Sequence, residues 1–137
     1  LISGDAVAVL AWSGDLFQLA TENDGKFDFA IPESGGTISA DNLLIPKPAT
    51  ADGKKNAEAL INYLYDPAVA AQVAAYVNYV TPVKGAQAEM EKIAPELAQS
   101  EFIFPSEKTQ SRLQQFRSLT PAEETELTAA FQKAIGN

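Results

Sequence analysis

The apolar positions keep a period of two or a continuous run through the first third of the chain and turn helical after that. The densest run, Ala6-Val7-Ala8-Val9-Leu10-Ala11, ends at Trp12 and the turn residues Gly14-Asp15. A six-residue apolar run stopped by turn residues predicts a buried strand rather than a helix. Leu16, Phe17, Leu19 and Ala20 then mark the buried side of a short helix over 15–21, with Ser13 or Asp15 near its N-terminus. After the turn Asn23-Asp24-Gly25, residues 26–31 alternate polar and apolar through Phe27, Phe29 and Ile31, which predicts a half-buried strand ended by Pro32. Residues 37–46 predict another strand, interrupted at Asp41-Asn42 before Leu43-Leu44-Ile45 resume the apolar run.

Beyond a Pro, Ala, Thr and Gly-rich loop at 47–53, Ala57, Leu60, Ile61 and Leu64 fall at helical spacing and predict a helix over 54–65. Asp66-Pro67 stops it and starts the next, as N-cap and first helical residue, with Val69, Val73, Tyr76 and Val77 facing the core. Residues 78–83 read as loop or short strand, because a residue before proline, here Thr81, is pushed away from helical geometry. Ala86, Met90 and Ile93 predict a helix over 86–94, and Pro95 restarts a turn toward Gln99. A further helix is expected over 111–117. Thr120-Pro121-Ala122-Glu123 is a capping box for the last helix, whose buried stripe is expected at Leu127, Phe131 and Ile135. Strands followed by helices make the fold class α/β.

Composition changes this picture mainly by exclusion. The 137 residues are the size of one domain, and 46% hydrophobic content supports a core. With no cysteine and no histidine, disulfides, thiol catalysis, Cys or His metal ligands and nucleophile–histidine pairs are excluded. Ser13-Gly14 and Ser34-Gly35-Gly36 lack the nucleophile-elbow pattern, and no phosphate-cradling loop is present, so no cofactor is expected. No stretch is long enough to span a bilayer. The formal net charge of −8 disfavours nucleic acid and anionic membrane surfaces and permits a cationic partner.

Candidate chemistry is confined to a few positions. Trp12 falls at the carboxyl end of the first expected strand, three residues before Asp15, where open α/β sheets bind ligands; a core tryptophan and a helix-capping aspartate give the same pattern. Asp41 opens an apolar run, where a carboxylate costs stability unless paired, and reads either as a site residue or as a turn aspartate. Tyr79 is an aromatic on a connection, either an anchor or a ligand contact.

The order of motifs is itself informative. Ala11-Trp12-Ser13-Gly14-Asp15, then Ile31-Pro32-Glu33-Ser34-Gly35-Gly36, then Ser39-Ala40-Asp41-Asn42-Leu43-Leu44-Ile45-Pro46, then Ile61-Asn62-Tyr63-Leu64-Tyr65-Asp66-Pro67, then Tyr79-Val80-Thr81-Pro82 resembles the C-terminal portion of spermidine/putrescine-binding proteins, the extracytoplasmic receptors of polyamine ABC importers. The resemblance is in register from about residue 6 to about 85 and looser beyond. It implies a two-lobed periplasmic-binding-protein-like (type II) fold, with this chain as its C-terminal fragment. Residues 1–40 would belong to the second lobe, 41–85 would return to the first, and the helices of 86–137 would pack on the second. Leu1, already inside an apolar segment, fits a chain that begins mid-domain. Carried over residue by residue, Trp12 packs on the polyamine's methylenes and cations, Asp15 and Asp41 take ammonium groups, and Tyr79 stands in the cleft. Two departures bear on which amine fits: Ser39 stands where the family has an aromatic, and Phe116 falls about where a further site residue is expected.

The implied protein is not an enzyme, lies in the periplasm or on the cell surface as a lipoprotein, and has a small cationic ligand and an ABC permease as partners, with a homodimer of the fragment as a further prospect. Other readings of the same residues are a type II receptor for another solute such as an amino acid, a hydrolase using Asp15 and Asp41 as acid and base, and an interaction domain.

Overall fold

A computed structural model describes residues 1–136. The elements run α1 (Ser13–Glu22), β1 (Gly36–Thr37), α2 (Ala51–Leu64), α3 (Pro67–Val77), α4 (Ala86–Ile93), α5 (Pro95–Ala98), α6 (Glu107–Gln110), β2 (Leu113–Gln114) and α7 (Pro121–Ile135). The chain is α/β in kind but mostly helical, with a single two-stranded parallel ladder among the described residues.

Local chemistry sets the helix starts. Thr50 Oγ1 accepts from the Gly53 amide at 3.1 Å to open α2. Asp66 Oδ1 accepts from the amides of Ala68 at 2.9 Å and Val69 at 3.4 Å to open α3, with Pro67 in the first turn as expected. The expected capping box of α7 is formed: Thr120 Oγ1 accepts from the Glu123 amide and Glu123 Oε2 from the Thr120 amide at 2.9 Å. Each such cap satisfies amides that the helix itself leaves unpaired.

The core sits where α3, α4 and α5 meet. Ala71 and Ala74 of α3 pack with Met90, Ala98 and Ile103, with Ala75, Ala94, Leu97 and Phe104 around them. The expected core face of α3 is therefore wrong in part. Val73, Tyr76 and Val77 are exposed, Tyr76 by 88%, and the buried positions are Ala70, Ala71 and Ala74. Small side chains let two helix backbones approach, and the larger Met90 fills the space between them.

The N-terminal third departs further from expectation. Residues 6–11 and 26–31 form no ladder, and of the strand expected over 37–46 only Thr37 is a strand residue, with the Ile38 amide as the last bond to the partner. Val7 and Leu10 are fully exposed. An apolar run is buried as a strand only between neighbouring strands, and no described residue supplies one. Alternation nonetheless survives at 27–31 as half-burial of Phe27, Phe29 and Ile31, and the Phe29 ring meets Phe102 edge-on at 5.2 Å.

The helix expected over 111–117 is instead β2, paired with β1. The Gly36 amide donates to the Arg112 carbonyl at 3.1 Å and the Ile38 amide to Gln114 at 3.0 Å. Gly35, at φ +102°, passes so close to the Arg112 carbonyl that no Cβ fits. Arg112 Nη1 donates to the Pro32 carbonyl at 3.3 Å, tying the same turn from the side-chain end. The stripe expected to be buried on α7 is open: Leu127, Phe131 and Ile135 are exposed, and no described element covers them. A capping box fixes where a helix begins but not what it packs against.

Candidate functional site

Two segments distant in sequence build the site. The first is the start of α1, where Trp12 is the N-cap residue and its carbonyl accepts from the Leu16 amide at 3.2 Å. Its side chain makes no capping bond and its indole stays 59% exposed. Asp15 lies in the first helical turn, where the unpaired amides favour negative charge. Neither Ser13 nor Asp15 is the N-cap itself.

The second segment follows α3. Asn78 takes the left-handed conformation at φ 58° and ends the helix, turning Tyr79 back toward α1. The Tyr79 hydroxyl donates to Asp15 Oδ1 at 3.0 Å. Loss of water around the phenol, then the hydrogen bond to Asp15 and its charge, push the Tyr79 hydroxyl above the ordinary value of 10.0.

Tyr79 also borders a groove of about 330 Å³. Its walls are the stretch from Asp41 to Leu43, one face of α2 with Ile61 and Leu64, the valine row Val73 and Val77 of α3, and residues 79–83. Val73 and Val77, expected in a core, thus line an open concave surface together with Ile61 and Leu64. The lining holds one carboxylate, Asp41, and no lysine or arginine. Apolar walls with one carboxylate suit a small cation with a hydrocarbon body, because the charge needs a partner once water is displaced and the methylenes need apolar contact.

Of the four residues singled out from sequence, the structure brings Tyr79 onto Asp15 and sets Tyr79 and Asp41 along one groove; Trp12 stands at the head of the helix that carries Asp15. Phe116 is 84% exposed and Ser39 is exposed, and neither lines the groove. Sequence reasoning missed Gly14, which is buried under the Tyr79 ring. Its only signal was a glycine within the first turn of a helix, a position that glycine disfavours. No group of three or more metal-ligating side chains is found among the described residues, and no described helix is long and apolar enough to cross a membrane.

The family model for bacterial extracellular solute-binding proteins matches residues 1–100, and the chain belongs to that family. It is 33% identical over 108 residues to the spermidine/putrescine-binding periplasmic protein of Escherichia coli (strain K12), covering 79% of this chain and 29% of that protein. It is 32% identical over 111 residues to the protein of the same description from Salmonella typhimurium (strain LT2), covering 81% and 30%. It is 28% identical over 127 residues to a putrescine/cadaverine-binding protein of Pseudomonas aeruginosa (strain PAO1), covering 87% and 34%. The chain thus spans less than a third of the length of the first two relatives. No solved structure matches it.

Proposed function

We propose that this chain is the C-terminal part of an extracytoplasmic receptor that binds a putrescine- or spermidine-like polyamine and delivers it to the permease of an ABC importer. The observation that carries the reading is the mainly apolar groove lined by Asp41 and Tyr79, with no basic side chain in its lining and with the Tyr79 hydroxyl bonded to a second carboxylate, Asp15. Relatives whose names specify putrescine, spermidine and cadaverine support the same ligand class. Asp15 and Asp41 would take ammonium groups, Tyr79 would wall the cleft, and Trp12 would cover the methylenes.

In this reading residues 1–40 belong to the second lobe and 41–85 to the first. Because α3 shares its core with Met90, Ala98 and Ile103, we draw the chain's return to the second lobe later than residue 86, near the stretch that leads from Phe102, packed on Phe29, to β2 beside β1. The rest of the receptor, or a second copy of the isolated chain, would cover the apolar side chains of residues 6–11 and 43–44.

Magnitudes set the affinity of the chain alone. A cation–π contact is worth about 0.5–2 kcal/mol and a hydrogen bond to a charged group about 1.5–3 kcal/mol, before the cost of association. Millimolar binding requires about 4 kcal/mol, so a half-site reaches roughly that and no more. The test is calorimetric competition of diamines of increasing length against amino acids and neutral sugars. Preference for the diamines supports the polyamine reading; preference for an amino acid assigns the groove to another solute.

A further inference from the structure

The contact between Gly14 and Tyr79 says more about the site than its charges do. Gly14 lies in the first turn of α1 and is buried. A Cβ built there would meet the Tyr79 ring 2.6 Å from Cζ and 2.7 Å from Cδ2, and closer still to Cε2. Glycine is a poorer helix residue than alanine, so free space at this position would favour a side chain. The space is taken by the ring, and the ring's hydroxyl reaches Oδ1 of the very next residue, Asp15, at 3.0 Å. Among the described residues no donor reaches the other oxygen, Oδ2.

We propose that Gly14 is a positioning residue of the cation site: lacking a side chain, it seats the Tyr79 ring on the first turn of α1, so that the hydroxyl fixes Asp15 through Oδ1 and leaves Oδ2 for the ligand's ammonium. This rests on the reading of Asp15 as an ammonium-binding carboxylate. Tyr79 is then tied to two neighbouring residues of one helical turn, by ring contact to Gly14 and by hydrogen bond to Asp15. A side chain at 14 undoes both without touching the ligand.

Putrescine binding measured on the wild-type protein, Gly14→Ala, Tyr79→Phe and the double variant tests this. Tyr79→Phe keeps the ring and loses the hydroxyl, and its affinity is expected to fall roughly tenfold. Gly14→Ala displaces the ring and is expected to fall by a similar factor. The double variant is expected to bind no more weakly than Gly14→Ala, because both changes break one linkage. The ultraviolet titration that separates wild type from Tyr79→Phe gives a readout independent of ligand: the late-titrating phenol of wild type is expected to move toward the ordinary tyrosine range in Gly14→Ala. Wild-type affinity in Gly14→Ala, or an unchanged phenol titration, overturns the assignment and leaves Gly14 a packing residue. Should Gly14→Ala fail to fold, undiminished binding by Tyr79→Phe overturns it alone. Failure of the wild-type protein itself to bind putrescine strikes instead at the polyamine reading on which the assignment rests.

Discussion

The Tyr79 hydroxyl meets the Asp15 carboxylate at 3.0 Å across 64 residues of chain, joining the end of α3 to the start of α1. Among the described residues it is the one side-chain hydrogen bond that links the two parts of the proposed cleft. In Asp15→Asn the amide carbonyl still accepts from the phenol, so the linkage survives while the charge is lost. Putrescine affinity is expected to fall about tenfold or more, with little change in the unfolding midpoint. Calorimetry and thermal unfolding on the same sample separate the two effects.

Met90 has no solvent exposure and fills the space between α3, α4 and α5. Met90→Ala is expected to cost about 2–5 kcal/mol in chemical denaturation, since the alanines around it have no bulk with which to close the cavity. Leu127→Ala on the open face of α7 is expected to change stability by less than about 0.5 kcal/mol in the same assay.

Gly35 and Gly25 separate two kinds of glycine requirement. Both have positive φ, but a Cβ at Gly25 meets open space and one at Gly35 meets the Arg112 carbonyl. Gly25→Ala is expected to cost about 1 kcal/mol of backbone strain, and Gly35→Ala clearly more, because the β1–β2 ladder must also shift. Equal losses in urea denaturation would remove the close approach as a cause.

Two groups set opposite edges of the pH profile. The Arg117 guanidinium first, then the Thr120 amide and hydroxyl, hold the Glu123 carboxyl at about 2. A folded value below the ordinary 4.5 means that its contribution is full above pH 4.5 and lost as pH falls through about 2. The Glu101 carboxyl, held low chiefly by the Thr109 hydroxyl, follows the same sign. Tyr79 runs the other way: with its hydroxyl raised above 10.0, its contribution is full below pH 10 and lost as pH climbs through the folded value. Circular dichroism is expected to show helicity declining between about pH 4.5 and 2, with a shallower decline in Glu123→Gln.

How far the fold is legible in the sequence depends on the range of the interactions that decide it. Asp66-Pro67 and Thr120 to Glu123 fix helix starts through contacts two or three residues apart, and both are found where the sequence puts them. The run at residues 6–11 has the pattern of a buried strand, but pairing is decided by neighbours that pattern does not contain, and Val7 and Leu10 face solvent. On α3 the valines outrank the alanines in hydrophobicity, whereas close helix approach selects Ala70, Ala71 and Ala74. The site divides in the same way. Asp15, Asp41 and Tyr79 can be named from motif order, but the Tyr79–Asp15 bond and the fit of its ring over Gly14 arise only when α3 returns to α1.

Trp12 is the single tryptophan and stands at the head of the helix that carries Asp15. The most direct measurement is therefore its fluorescence, titrated with putrescine at low salt in the wild-type protein, Asp15→Asn and Asp41→Asn, against 1,4-butanediol as the neutral counterpart. Polyamine binding through Asp15 and Asp41 predicts a saturable change with putrescine, weakened by either substitution and absent with the diol. An equal response to the diol, or a putrescine response untouched by both substitutions, contradicts it.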